Sequence, residues 1–260
     1  MRQVKTITSV LLMGLLGVFL LVNKASAELT IKANHDHITI DFFYHGSTVS
    51  VSGISDPGTD VIVKISSPDG HESLRQKGKV GGVLWMNVGS LNFEDTPKLY
   101  LLAGTKNIAD LLDRDETDKY VIGYQALSRH VKIDPPAPAE EKAKWFDQFI
   151  KFKESRKLYN VSPAGVSLAD KDGKQNYYIK MDWPYQAAPG NYIVTVYAVR
   201  DRKVVETASA NVLVEQVGVV KSLAGMAKNN AVAYGTISIL AALAAGFGVG
   251  LIFRKGGGAH

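Results

Sequence analysis

The chain is 260 residues long, with 30 basic and 25 acidic side chains and no cysteine. The missing cysteine excludes disulfide staples, thiolate chemistry, cysteine zinc sites and covalent haem attachment. Stability must therefore come from a hydrophobic core, and about 190 central residues are enough to bury one. Arg2, Lys5 and Lys24 fall in a leader and Arg254 and Lys255 in a tail, leaving the rest balanced at 25 against 25; the overall pI near 9.1 makes no case for nucleic acid, which needs a clustered basic face.

Residues 1–27 read as an export signal. Arg2 and Lys5 precede an apolar run over 10–22, and the small residues Ala25-Ser26-Ala27 stand before Glu28. Cleavage is expected after Ala27. An uncleaved anchor is the alternative, but the apolar run falls short of the roughly 20 residues a span needs.

Short strand-like runs follow at 38–43, 48–54, 61–66 and 83–88. They are separated by Gly46, Asp56-Pro57-Gly58 and Pro68-Asp69-Gly70, whose backbone preferences favour turns. Val49, Val51 and Gly53 alternate with Ser50 and Ser52, as in an antiparallel strand with one wet face. His35, His37 and His45, with Asp36 and Asp41 nearby, form a histidine-rich patch. On one strand His35 and His37 would share a face and offer two imidazoles to copper, nickel or zinc; the alternative is solvated surface groups.

The middle is rich in helix formers over 107–127 and 139–159, divided by Asp134-Pro135-Pro136-Ala137-Pro138. Trp145, Phe149 and Phe152 recur at helical spacing, joined by Phe146 and Ile150, with Lys142, Lys144, Lys151, Lys153 and Glu154 on the polar side. This stripe is expected to pack on the sheet; an exposed docking face is the alternative. Strands resume at 177–181, 192–199 and 204–214. Asp170-Lys171-Asp172-Gly173 reads as a hairpin turn, because the later ligands of a calcium loop do not follow. The stretch 192–199 is expected to be a central strand buried on both faces, with the next strand as its hairpin partner.

Residues 217–230 either lie along a membrane interface or extend the following helix. The run 231–253 carries no charge and is long enough to span the roughly 30 Å hydrocarbon core. Arg254 and Lys255 directly after it place the C-terminus in the cytoplasm by the positive-inside bias. Ala242, Gly246 and Gly250 form a small-residue face suited to close approach by another membrane helix, from an integral-membrane partner or a second copy. No metalloprotease, nucleophile-elbow or phosphate-loop motif occurs, so the expectation is a non-enzyme without a cofactor; a hydrolase whose Ser, His and Asp are dispersed in sequence is the alternative.

Several separated stretches together resemble the Alph_Pro_TM family, exported single-pass membrane proteins first described in alphaproteobacteria. They are Asp60-Val61-Ile62-Val63-Lys64 running to Ser67-Pro68; Lys77 through Gly82 to Trp85-Met86-Asn87, then Phe93 and Pro97; Lys157-Leu158-Tyr159; Ala188-Pro189-Gly190-Asn191-Tyr192 leading to Tyr197 and Arg200-Asp201; and Ala233-Tyr234-Gly235 with Phe253-Arg254-Lys255. The resemblance implies an envelope-anchored accessory protein of the bacterial inner membrane, associated with a sulfite-exporter-type permease. His35 and His37 depart from the family pattern.

The expected architecture is mainly β with a helical middle segment. An immunoglobulin-like β-sandwich is exported to the periplasm and followed by one C-terminal transmembrane helix. The expected divisions are a signal at 1–27, a β region at 28–134, linker and amphipathic helix at 135–160, a second β region at 161–216 packing with the first, a juxtamembrane segment at 217–230, the span at 231–253 and a tail at 254–260. Beside the accessory reading stands a periplasmic metal- or ligand-binding module.

Overall fold

The computed structural model describes residues 28–171 and 173–254, apart from the side chains of Ile252 and Arg254. The expected signal at 1–27, Asp172, and Lys255 with the rest of the tail lie outside the described residues. In chain order the strands of the first half are β1 (Lys32–Ala33), β2 (His37–Ile40), β3 (Ser47–Ser55), β4 (Asp60–Ser66), β5 (Asp69–Val80), β6 (Leu84–Pro97) and β7 (Tyr100–Gly104). The middle carries α1 (Ile108–Leu111), α2 (Arg114–Tyr120), α3 (Tyr124–His130), β8 (Lys132–Asp134) and α4 (Ala139–Ser155). There follow β9 (Tyr159–Ser162), β10 (Ser167–Lys171), β11 (Lys174–Trp183), β12 (Gly190–Arg200), β13 (Lys203–Gln216), α5 (Gly218–Asn229) and α6 (Ala231–Arg254).

The strands make a first sheet ordered β1-β3-β11-β10, a second ordered β2-β13-β12-β4-β7-β9, and a third ordered β5-β6-β8. Strands from before and after the helical middle share each of the first two sheets: β3 pairs with β11, and β4 with β12. Val49, Val51, Tyr177 and Ile179 of the first sheet pack on Val61, Val63, Val194 and Val196 of the second.

The second sheet is covered on both faces, which explains why β4 reads as the unbroken apolar run Val61-Ile62-Val63. Val61 and Val63 enter the core between the sheets, while Ile62, Leu102, Tyr197 and Val199 face the opposite way, under the helices. β12 lies between β4 and β13, with Tyr192, Val194, Val196 and Ala198 on one face and Tyr197 and Val199 on the other. It is the expected central strand, and β13 is its hairpin partner.

The helix expected over 107–127 is three short ones. Asp113 caps α2 by accepting from the Glu116 amide at 2.9 Å, and the chain turns left-handed at Val121 (φ 49°) before Gly123 (φ 88°), so each helix ends within two turns. The expected strand at 38–43 stops at Ile40, and the one at 83–88 is part of the longer β6.

Lys64 reaches from β4 to the helical layer, donating to the Tyr120 carbonyl at 2.6 Å with its Nζ 5.6 Å from the Tyr197 ring centre. Burial pushes its ammonium down to about 8 from the ordinary 10.5. The cost of burying that charge is present in full below pH 8 and is relieved as pH rises towards 10.5, because the unfolded chain then holds the extra proton. Above about pH 10 the unfolded tyrosines ionise while Tyr192 and Tyr197, both pushed up to about 12 by burial, stay neutral, so stability turns down again. Thermal unfolding of the full-length chain in detergent should show Tm rising between about pH 8 and 10, and Lys64→Met should flatten that rise; an unchanged rise in the variant would assign it elsewhere.

Candidate interaction surface

β4–β7 and β5–β6 are one long hairpin. Ser66 pairs with Tyr100 and Asp69 with Pro97, so the register carries through the bend at Ser67-Pro68. There the Ser67 amide donates to the Leu99 carbonyl at 3.2 Å, and the Lys98 amide to Ser67 Oγ at 2.6 Å. The hairpin therefore leaves the second sheet as a two-stranded ribbon and closes at Gly81-Gly82, both at positive φ (61° and 77°), a conformation that favours glycine.

Side chains directly opposite in such a ribbon share a face. One face carries Glu72 with Phe93, Leu74 with Leu91, Gly78 with Met86 and Val80 with Leu84. Val88 is the unpaired residue of a bulge and lies against Gly78, where an added Cβ would come within 2.9 Å of it. The other face carries Lys77 opposite Asn87 and Lys79 opposite Trp85, with Lys79 Nζ 5.4 Å from the Trp85 ring centre.

Helix α4 covers only the near half of the first face. Its aromatic stripe does pack inward: Trp145, Phe146, Phe149 and Ile150 are buried, with Phe149 stacked on Phe93 at 4.4 Å and edge-on to Tyr159 at 5.8 Å. Lys153, 1% exposed, meets Glu72 across this seam, and burial holds its ammonium below the ordinary value against the opposing pull of Glu72. An open cleft of about 980 Å³ runs between α4 and the ribbon, lined by Leu74, Leu91, Phe93, Trp145, Phe149 and Phe152 among others.

Beyond the helix the same face is bare. Val80, Leu84, Met86 and Val88 are all at least half exposed, and Val83 at the tip is 82% exposed. Sequence reasoning assigned 83–88 to a strand but missed β5, because Asp69-Gly70 looked like a turn and β5 is polar. The signal was present as Leu74, Gln76, Gly78 and Val80 alternating with Arg75, Lys77 and Lys79 before a Gly-Gly turn.

The ribbon and the C-terminal helices leave the second sheet at one end. Ile193 of β12 pairs with Ser66 on one side and Asn211 on the other, so β4 and β13 run the same way and leave the sheet at the same end, with β13 continuing to Gln216 beyond the level of Ser66. From β13 the chain passes through α5 into α6, where Ala231–Leu251 is long and apolar enough to cross a membrane and has no buried residue. Ala242, Gly246 and Gly250 lie on this helix, and the two glycines face open space. Arg254 closes its backbone.

β2 begins at His37, so His35 precedes the strand, and His37 Nε2 lies 3.2 Å from Glu215. Among the described residues no group of three or more His, Cys, Asp or Glu side chains is placed to hold a metal ion.

A family model described as "Putative transmembrane protein (Alph_Pro_TM)" matches residues 28–255, and the chain belongs to that family. None of the curated proteins matches it.

If apolar stacking holds the ribbon to α4, Phe149→Ala should cost about 3–5 kcal/mol. Replacing the whole ion pair, Lys153→Met together with Glu72→Leu, removes both charges without stranding either, so it should lie within about 1 kcal/mol of the parent or above it. Urea unfolding of the full-length chain in detergent checks both. An equal loss in the two variants would make the ion pair, not the ring stack, the main tie.

Proposed function

We propose that this member of the Alph_Pro_TM family is a non-catalytic accessory protein of the bacterial inner membrane. In this reading α6 spans the bilayer, the β domain stands in the periplasm and the C-terminus lies in the cytoplasm. Its partner is an integral-membrane protein, with a sulfite-exporter-type permease as the candidate. The observation that carries the reading is that the ribbon and the C-terminal helices follow from strands leaving one end of the second sheet, and that both carry uncovered apolar surface.

We read the two packed sheets as an immunoglobulin-like sandwich, a fold suited to presenting loops and edges to partners. The orders β1-β3-β11-β10 and β13-β12-β4-β7-β9 correspond to strands ABED and GFCC′C″. Tyr192, near the start of β12, donates its hydroxyl to the Ala188 carbonyl as a tyrosine corner does. On this correspondence the ribbon is an extension of the C–C′ hairpin, and the helices are an insertion after C′.

The small-residue face of α6 supports partnering inside the bilayer, since Gly246 and Gly250 carry no side chain to keep another helix away. Gly246→Leu should lower recovery of a membrane partner about tenfold in mild-detergent purification from native membranes, as expected for loss of 1–2 kcal/mol of helix packing. Mass spectrometry of the co-purifying proteins reads the result. Unchanged recovery, or a parent protein that purifies alone, would contradict the reading.

A further inference from the structure

We propose that the distal half of the β5–β6 ribbon is a membrane-surface anchor: its bare apolar face and tip enter the interfacial layer of an anionic bilayer, the one that α6 spans. This rests on the reading of α6 as a span. Composition supports lipid as the occupant. From Ser73 to Phe93 there is no acidic residue, while Arg75, Lys77 and Lys79 line one face of β5, available to lipid phosphates. Val80, Val83, Leu84, Met86 and Val88 supply the apolar insertion, and Trp85 with Lys79 against its ring is the pairing of an aromatic body and a cation that suits the headgroup boundary.

Reach supports it as well. From Ser66 to Val80 the ribbon has about 46 Å of extended chain, at about 3.3 Å per residue. From the level of Ser66 the other path to the bilayer runs through the last residues of β13, about 17 Å, and α5, about 18 Å, together about 35 Å. The ribbon is long enough to reach the plane where α6 begins. Two points of attachment, the span and the tip, would then fix the tilt of the β domain over the membrane instead of leaving it on a single tether.

The absence of cysteine makes the test clean. Single variants Val83→Cys, Asp115→Cys and Gly246→Cys of the full-length chain are labelled with an environment-sensitive fluorophore and placed in nanodiscs of equal parts phosphatidylglycerol and phosphatidylcholine. Quenching is read with nitroxide-labelled lipid and with aqueous iodide. The label at 83 should be quenched by the lipid probe and shielded from iodide, and the label on α2 at 115 the reverse. Replacing Arg75, Lys77 and Lys79 by Gln should shift the label at 83 towards water by roughly a hundredfold in the equilibrium, about fivefold for each basic residue. A label at 83 that iodide reaches freely overturns the proposal, and one shielded from both quenchers overturns it in favour of a second copy of the chain. Unchanged lipid quenching in the triple variant overturns the role of the cations. The label at 246 reports separately on the span: if aqueous iodide quenches it freely, the reading of α6 fails first.

Discussion

The stack of Phe149 on Phe93, closed on its far side by Tyr159, joins three parts of the chain that share no strand pairing. Phe93 belongs to the ribbon, Phe149 to α4 and Tyr159 to the edge strand of the second sheet. A two-stranded ribbon is marginal in water by itself. Each buried ring contributes about 2–3 kcal/mol of apolar burial, so Phe149 and its neighbours, together with the pairing of β8 to β6 at Asn92–Glu94, hold the near half of the ribbon against the domain. Tyr159 adds a polar tie by donating to the Pro97 carbonyl at 2.6 Å, at the bend where the ribbon leaves the sheet.

That clamp accounts for the asymmetry of the surface. α4 covers Leu74, Leu91 and Phe93 and leaves the continuation of the same face, from Gly78 to Leu84, uncovered among the described residues. Exposed apolar ribbons risk edge pairing and aggregation. Here the cationic face and the tight glycine turn accompany the apolar one, a combination suited to a surface with a charged outer layer and an oily interior. The buried Lys153, whose charge burial disfavours, meets Glu72 at the base of the covered half, the end away from the bare tip.

Much of the architecture is legible in the residues because its signals are local. The doubly apolar pattern of 192–199 identifies a central strand, and the stripe of α4 identifies its buried face. The rest depends on contacts distant in sequence: nothing near Val51 says that it faces Ile179, and the polar β5 is a strand only because β6 pairs with it along its length. Pro68-Asp69-Gly70 misleads because the same residues that make turns also make a bend in a strand that continues. The histidine pair was weighed on the assumption that one strand holds both, and β2 begins two residues too late for His35. That Ala242, Gly246 and Gly250 lie on one long helix was readable from the uncharged run alone; the ribbon required knowing where α4 ends.

The most direct test of the account is amide hydrogen exchange on the full-length chain in detergent, comparing the two halves of the ribbon. The clamp predicts that residues 72–76 and 90–94 are protected nearly as well as the central strand 192–199, while 78–88 exchange faster by about two orders of magnitude or more. Equal protection along the whole ribbon would mean that the distal face is already covered within the protein, and fast exchange in both halves would mean that α4 does not hold it; either result would contradict the account.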